Sequence, residues 1–179
     1  MDDKYDLSLL AINLKMLILD VDGVMTDGGI ILIGDTMEAK RFDVQDGMGI
    51  NLAKAAGLLI AIITSRTSTV VERRAKELNI SDLVQGATEK KNVLYDLIRK
   101  HNIELSEVSY IGDDIQDLQI LKLVGLPIAV SNAVSEVKQH CLFITESAGG
   151  HGAIREVVDM LLELRGEKDQ IYNRYTGND

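Results

Sequence analysis

The sequence has one cysteine, one proline and no tryptophan among its 179 residues, and the shortage of cysteine excludes the most. Cys141 cannot form a disulfide within the chain, which excludes a disulfide-stapled secreted fold and favours a reducing compartment. It stands in the apolar segment CLFI, so a buried and inert thiol is favoured over a nucleophile. Long apolar runs are also missing, because the longest uncharged one, residues 55–63, is too short to span a bilayer.

Positive charge is scarce as well. The 19 lysines and arginines are outnumbered by 28 aspartates and glutamates, which gives a net charge of -9. This balance argues against nucleic acid or an anionic membrane as the main partner, and an anionic substrate would need local positive charge or a metal ion to bind. The content of 46% hydrophobic residues is typical of a soluble globular protein. The first residues, MDDKYDLS, lack the basic start of a signal peptide, so we expect a cytoplasmic protein.

The most informative stretch, residues 16–28, reads MLILDVDGVMTDG. Its first four residues predict a buried parallel strand, which then meets Asp20, Asp22 and Gly23. Carboxylates resist burial unless they are paired or bound to a metal, and two neighbouring carboxylates repel each other unless a cation or a shared proton relieves them. The stretch predicts a magnesium-assisted site in which one carboxylate attacks and the other handles protons. The simpler alternative is an acidic, glycine-rich turn.

Apolar runs and amphipathic segments alternate along the rest of the chain, which predicts an α/β fold: a parallel sheet between helices. We expect one domain over residues 1–179, with a β-hairpin at about 28–44 and a polar tail at about 165–179. Asp46 is expected to cap the helix after the hairpin, and Thr69 with Glu72 has the spacing of a capping box. The predicted strands are residues 16–21, 58–63, 83–85, 108–111, 127–130 and 141–144, and the predicted helices are 46–56, 69–78, 89–100, 115–124 and 153–164.

Two further segments of this pattern end in groups that suit phosphate chemistry. Thr64 follows the strand LLIAII, and its hydroxyl and backbone N–H can donate to a phosphate oxygen, although a simple turn residue is the commoner role of threonine. Lys90 lies at the start of the predicted helix 89–100, a position where the helix dipole favours anions over cations. This placement indicates that Lys90 serves an anion in the crevice at the strand ends, with a solvated surface lysine as the alternative.

The segment GDDIQD is the strongest support for a site. Asp113 and Asp114 follow a predicted strand, as Asp20 does, and Asp117 lies one helical turn further on. Asp113 would complete a set of oxygen ligands for Mg²⁺. An acidic helix cap explains this segment alone, but it does not explain a second acidic cluster at another strand end of the same sheet.

Taken in order, DVDGVMTDG, Thr64, Lys90 and GDDIQD resemble the four motifs of the haloacid dehalogenase superfamily, over about residues 15–165. The resemblance implies a Rossmann-like sheet and transfer of a phosphoryl group through an aspartyl-phosphate. It makes Asp20 the nucleophile and Asp22 the general acid and base. It also implies that Mg²⁺ is held by Asp20, Asp22 through its backbone carbonyl, and Asp113. Thr64 and Lys90 would bind the phosphate oxygens, with Asp114 and Asp117 in support.

The segments between these motifs are too short for a cap domain. The capless layout, with FDVQDGMGI, AKELNI, YIGDDIQDL and GGHGAIRE, resembles the family of 3-deoxy-D-manno-octulosonate 8-phosphate phosphatases of lipopolysaccharide biosynthesis. That resemblance implies a homotetramer joined through the apolar hairpin, a phosphorylated keto-sugar acid as substrate, and a mobile lid formed by the tail. It implies substrate contacts from the GGHGAIRE loop and from Asp22, Thr64, Ser65, Arg66 and Lys90.

Two residues depart from the pattern of that family. Ser65 stands where relatives more often have glycine, and His151 stands where they often have a longer polar residue. Neither change removes a catalytic group, so they bear on the sugar. Three alternatives follow: a phosphatase of a nonulosonate 9-phosphate, a non-catalytic oligomeric regulatory module, and a sugar phosphomutase. The retained motif residues count against the module, and the missing cap counts against the mutase.

Overall fold

A strand of four fully buried residues, β1 (Met16–Leu19), lies near the centre of the fold. The structure is a computed structural model and describes residues 6–177. The sequence-based expectations for the acidic first five residues, and for the last two residues of the domain and its tail, lie outside this range. In the sheet β1 pairs in parallel with the strands at Leu59–Ile63 and Val108–Gly112. Its apolar residues therefore have a neighbour on both sides, as expected for a run of four buried side chains.

Six parallel strands form the main sheet, in the order β5-β4-β1-β6-β7-β8, and a separate antiparallel hairpin pairs β2 with β3. The hairpin strands are β2 (Ile31–Ile33) and β3 (Met37–Ala39), and the other strands of the sheet are β4 (Leu59–Ile63), β5 (Asp82–Val84), β6 (Val108–Gly112), β7 (Leu126–Ala129) and β8 (Phe143–Ile144). The predicted α/β fold class is confirmed: a parallel sheet flanked by helices, with a hairpin extension and, within the described residues, no cap domain.

A helix lies in each connection between successive strands of the main sheet, as a parallel sheet requires, and further helices precede the first strand and follow the last. They are α1 (Leu7–Asn13), α2 (Val44–Ala55), α3 (Thr69–Glu77), α4 (Lys90–His101), α5 (Leu118–Leu121), α6 (Ser135–Lys138), α7 (Ala153–Leu164) and α8 (Lys168–Thr176). The longest helix–helix contact joins α2 to α7, and α7 also contacts α1 and α8. Within residues 6–177, none of the helices has both the length and the apolar character that crossing a membrane requires.

Several local predictions need correction. The N-cap of α2 is Asp43, whose side chain accepts the N–H of Gln45, whereas Asp46 is buried in the first turn and accepts the N–H groups of Gly152 and Arg155. Both aspartates lie at the start of the same helix, and contact with the N-terminus of α7 holds Asp46 in the first turn. No side-chain capping bond forms at the start of α3. The helix predicted for 115–124 is reduced to a 3₁₀ turn and the four residues of α5.

The tail also differs from expectation. Residues 168–176 form α8, in which Ile171 is buried and the Tyr172 hydroxyl donates to Asp159 at 2.7 Å. Arg174 donates to the carbonyl of Ala55, at the end of α2 that lies near the amino edge of the sheet. The described part of the tail therefore packs as a helix against α2 and α7 and does not line the predicted site, and the mobile lid stays a prediction.

Candidate active site

A cavity of about 300 Å³ opens at the carboxyl ends of β1, β4 and β6. This is the edge at which parallel sheets between helices bind their ligands. All nine residues predicted from the sequence line this cavity, together with two that were not predicted, Gly28 and Gln116. The lining consists of Asp20, Asp22, Gly28, Thr64, Ser65, Arg66, Lys90, Asp113, Asp114, Gln116 and Asp117.

Lys90 contacts three polar side chains in the buried part of the cavity. Its ammonium nitrogen lies 2.7 Å from Oδ1 of Asp20, 2.7 Å from Oδ1 of Asp117 and 3.1 Å from the Tyr110 hydroxyl. Burial alone would lower the pKa of Lys90, but the two carboxylates outweigh burial and raise it. Lys90 is therefore a fixed positive charge at the first residue of α4, where the helix N-terminus adds to its field.

Asp117 organises the strand ends and has no accepting position left for a metal ion. Its Oδ1 accepts from Lys90 and from the Tyr110 hydroxyl, and its Oδ2 accepts the backbone N–H groups of Asp113 and Asp114 at 2.9 and 3.2 Å. These four bonds occupy its four lone pairs. Asp117 therefore orients Lys90 and shapes the turn after β6. Sequence reasoning missed Tyr110, because a tyrosine inside a strand looks like an ordinary core residue.

Asp20 and Asp113 remain available for a cation. Their carboxylates and that of Asp117 lie within 4.8 Å of one another. Burial, and after it the negative charge of these neighbours, raises the pKa of Asp20 and raises the pKa of Asp113 to about 8. A hard divalent cation relieves the electrostatic repulsion between carboxylates crowded in this way, and carboxylate oxygens are the ligands that Mg²⁺ prefers. The carboxylates of Asp20 and Asp113 are therefore suitable ligands for Mg²⁺.

The backbone after β1 turns sharply to bring these groups together. Residues 21–25 do not continue the strand: Gly23 has a φ of +88°. A Cβ atom on Gly23 would lie 2.0 Å from Oδ2 of Asp113, so only glycine allows the two strand ends to approach this closely. Because of this turn, Asp20 and Asp22 do not act as one pair on an extended strand. Asp20 forms an ion pair with Lys90, whereas Asp22 lies next to two other basic side chains, Lys40 and Arg66.

Asp22 lies between two basic side chains. Lys40 donates to its Oδ1, and Nε of Arg66 lies 3.6 Å from its Oδ2. The side chain of Lys40 is only 2% exposed, whereas that of Arg66 is 44% exposed and reaches the cavity. Arg66 also pairs with Glu38 on the hairpin, at 3.3 Å. Sequence reasoning missed Lys40, because a lysine after a hairpin strand resembles a solvated surface residue.

The residues after β4 are placed as expected, with one correction. The backbone N–H of Thr64 already donates to the carbonyl of Val84 at 3.0 Å, so only its hydroxyl is available to a phosphate oxygen. Oγ of Ser65 lies 2.7 Å from Oε1 of Gln116 and 3.1 Å from the carbonyl of Ala87. This serine therefore joins two sides of the cavity mouth, a contact that glycine would not make.

The GGHGAIRE loop supports the turn from behind and does not line the cavity. The N–H of Gly150 donates to the carbonyl of Val24 at 2.9 Å, and a Cβ atom on Gly149 would lie 1.8 Å from the carbonyl oxygen of Gly23. The Asn132 side chain links the turn to the loop: its amide N–H donates to the carbonyl of Gly23, and its amide oxygen accepts the N–H of Gly149. His151 turns toward Arg41, with 2.9 Å between Nε2 and Nη1. The loop fixes the backbone that carries Asp20 and Asp22.

Comparisons with known proteins agree with this geometry. A profile of haloacid dehalogenase-like hydrolases matches residues 59–157. A 3-deoxy-D-manno-octulosonate 8-phosphate phosphatase of Escherichia coli is 41% identical over 165 residues, which cover 92% of this chain and 88% of that protein. The crystal structure of the phosphatase of that name from Moraxella catarrhalis, in complex with magnesium, phosphate and a KDO molecule, has a TM-score of 0.91 and 40% identity, and the match covers 94% of this chain and 97% of that one. A cobalt-bound phosphatase from Haemophilus influenzae has a TM-score of 0.87 and 33% identity, with 91% and 98% covered.

Proposed function

The chain belongs to the haloacid dehalogenase-like hydrolases and, within them, to the 3-deoxy-D-manno-octulosonate 8-phosphate phosphatases, and on that premise we propose how its site works. The enzyme is a phosphatase that hydrolyses 3-deoxy-D-manno-octulosonate 8-phosphate to the free sugar acid and phosphate, for lipopolysaccharide biosynthesis. The observation that carries this assignment is the joint placement of Asp20, Lys90 and Asp113 in one cavity. The similarity to a structure in complex with magnesium, phosphate and KDO supports it.

Mg²⁺ is the cofactor, and Asp20, the backbone carbonyl of Asp22 and Asp113 would hold it, where its charge offsets that of the transferred phosphoryl group. Lys90 and the Thr64 hydroxyl bind the non-reacting phosphate oxygens. Arg66 and Ser65 lie at the mouth of the cavity and contact the sugar acid. Lys90, Arg66 and the metal ion would therefore supply the local positive charge that an anionic substrate needs in a protein whose overall charge is negative.

The two chemical steps use Asp20 and Asp22. In the first step an oxygen of Asp20 bonds to phosphorus, the bond to the sugar oxygen breaks, and the proton of the Asp22 carboxyl passes to that oxygen. In the second step a water oxygen bonds to phosphorus, the aspartyl-phosphate bond breaks, and the water proton passes to the Asp22 carboxylate. One turnover therefore restores both carboxyl groups to their starting forms.

The oligomer forms through the hairpin in this proposal. Five apolar side chains of the hairpin region are exposed by 46 to 72%: Ile30, Ile31, Leu32, Ile33 and Met37. Exposed apolar side chains on both faces of a hairpin indicate a protein contact. A homotetramer would bury these side chains and cover an active site that has no cap domain. The proposed location is the cytoplasm, which the single cysteine supports.

A phosphate-release panel tests the assignment. The purified protein is assayed with Mg²⁺ on 3-deoxy-D-manno-octulosonate 8-phosphate, on a nonulosonate 9-phosphate and on aldose phosphates. We expect the highest kcat/KM on the octulosonate. A higher value on the nonulosonate would reassign the substrate, and no release from any of these compounds would refute the phosphatase.

A further inference from the structure

Lys40 is a buried cation that the mechanism above does not use. Its side chain is 2% exposed, and its ammonium donates to Oδ1 of Asp22, whose side chain is 23% exposed. Removing an ammonium group from water is costly unless a partner of opposite charge compensates it. Asp22 supplies that partner, so the ion pair is needed for Lys40 to occupy this position at all.

The contact fixes one oxygen of Asp22 and leaves the other for chemistry. Oδ1 accepts from Lys40, while Oδ2 has Arg66 at 3.6 Å, beyond hydrogen-bond length. Because a carboxyl group can accept through one oxygen while the other gains or loses a proton, Lys40 can keep its bond in both forms of Asp22. Lys40 itself is absent from the lining of the cavity, so it contacts Asp22 and not the substrate.

Lys40 reaches Asp22 because of its place on the hairpin. It follows β3, two residues after Glu38, and residues two apart on an extended chain share a face. On this face Glu38 holds Arg66 and Lys40 holds Asp22. Met37 is 62% exposed, on the hairpin surface proposed to meet other subunits. In the hairpin register Leu32 shares the face of Glu38, whereas Ile33 and Met37 share the opposite face.

We propose that Lys40 is the positioning residue for Asp22: its buried ammonium holds Oδ1 so that Oδ2 exchanges the proton with the sugar oxygen and with water. The inference rests on the proposed function, since it assigns a role within the same reaction. General acid and base catalysis supplies about 10²- to 10⁴-fold, and only when the group is within hydrogen-bond reach of the proton. Loss of the orientation should therefore remove about 10- to 100-fold of the rate.

A double-mutant cycle on the sugar phosphate tests this role. Lys40→Gln should lower kcat/KM by about 10- to 100-fold in the wild-type background, and by less than about 2-fold in an Asp22→Asn background, where no proton remains to be positioned. Multiplicative losses in the double variant would overturn the proposal, because they would show that Lys40 acts independently of Asp22. If Lys40→Gln does not fold, Lys40→Met keeps the volume of the side chain and enters the same cycle.

A second measurement separates positioning from general damage. An aryl phosphate such as 4-nitrophenyl phosphate has a leaving group that needs no proton, so Lys40→Gln should reduce its kcat/KM by less than about 3-fold. Equal losses on both substrates would overturn the proposal. Lys100→Gln is the matched control: Lys100 also pairs with an aspartate, Asp82, at 2.5 Å, but at the amino edge of the sheet. A wild-type protein inactive on both substrates would instead refute the proposed function.

Discussion

The ammonium of Lys90 lies 2.7 Å from Oδ1 of Asp20, the carboxylate proposed to attack phosphorus. Burial and the charge of Asp117 raise the pKa of Asp20, and the positive charge of Lys90 opposes them. A nucleophile must be ionised to attack, and the ion pair with Lys90 favours the ionised form of Asp20 against this net rise of its pKa. The same relationship predicts which substitutions remove activity and which only weaken it.

Asp20→Asn should abolish turnover, with a loss of about 10⁴-fold or more in kcat, because an amide does not form the covalent intermediate. The measurement is phosphate release, with circular dichroism to show that the variant is folded. Asp114→Asn is the matched control. Asp114 lines the same cavity and has no step in the chemistry, so a much smaller loss is expected. Substantial residual activity in Asp20→Asn would exclude Asp20 as the nucleophile.

Tyr110→Phe should lower kcat/KM by about 2- to 10-fold and stability by about 2 kcal/mol, since it deletes two buried hydrogen bonds while the ring still fills the core. The Tyr110 hydroxyl donates to Asp117 at 2.6 Å and accepts from Lys90. Steady-state kinetics and urea unfolding measure the two effects. Tyr95→Phe, on the outer part of α4, should change neither, and an unchanged Tyr110→Phe would contradict the orienting role.

Removal of Mg²⁺ with EDTA should abolish phosphate release, and added Mg²⁺ should restore it. Asp113→Asn should raise the Mg²⁺ concentration for half-maximal activity by at least about tenfold, because it removes one charged ligand. A readout independent of activity is the thermal midpoint: Mg²⁺ should raise it in the wild type and much less in the variant. Full activity in excess EDTA would contradict a magnesium enzyme.

Leu32→Glu should convert the tetramer to smaller species, because it puts a charge on the most exposed apolar side chain of the hairpin, at 72%. Light scattering coupled to size exclusion measures the mass. Leu9→Glu is the control, since Leu9 is 59% exposed on α1, away from the hairpin. A monomeric wild type, or a tetramer that keeps its mass in Leu32→Glu, would refute assembly through this surface.

Asp82→Asn should lower stability at neutral pH by about 1 kcal/mol and much less near pH 3. Burial alone would raise the pKa of Asp82, but Lys100 and His101 outweigh it and lower the pKa. A lowered folded-state pKa means stability that is present above the unfolded value of about 3.9 and is lost as pH falls through the folded value. Thermal unfolding of both proteins from pH 3 to 7 checks this, and a constant difference would contradict it.

The strand-end carboxylates could be predicted from the sequence, because an apolar run that stops at an aspartate is visible without a structure. Asp20 and Asp113 were found in this way. Thr64 was found as a polar residue after another apolar run and Lys90 as a cation at a helix start, and the structure brings all four to one cavity. Helix α7 was also predicted to the residue, because its apolar spacing is regular between a glycine-rich loop and a glycine.

What the sequence could not show depends on contacts between distant segments. Lys40 meets Asp22 only because the hairpin folds back over the turn, and no local pattern separates it from a surface lysine. In the sequence Asp46 resembles an N-cap as much as Asp43 does. Only the structure shows that Asp46 accepts the N–H groups of Gly152 and Arg155 at the start of α7. The sequence indicated only a polar tail, whereas the structure has a helix there whose Tyr172 hydroxyl bonds to Arg155 and Asp159 of α7.

The packing of Gly149 and Gly150 against the turn after β1 has a consequence for protein synthesis. Asp20 leaves the ribosome early, but the loop that supports its backbone lies more than a hundred residues later in the chain. A nascent chain that already contains Asp20, Lys90 and Asp113 still lacks that support. Since domains fold during synthesis from their first residues onward, phosphatase activity should arise only when translation has passed this loop. An incomplete chain that lacks the loop before α7 should therefore have no phosphatase activity.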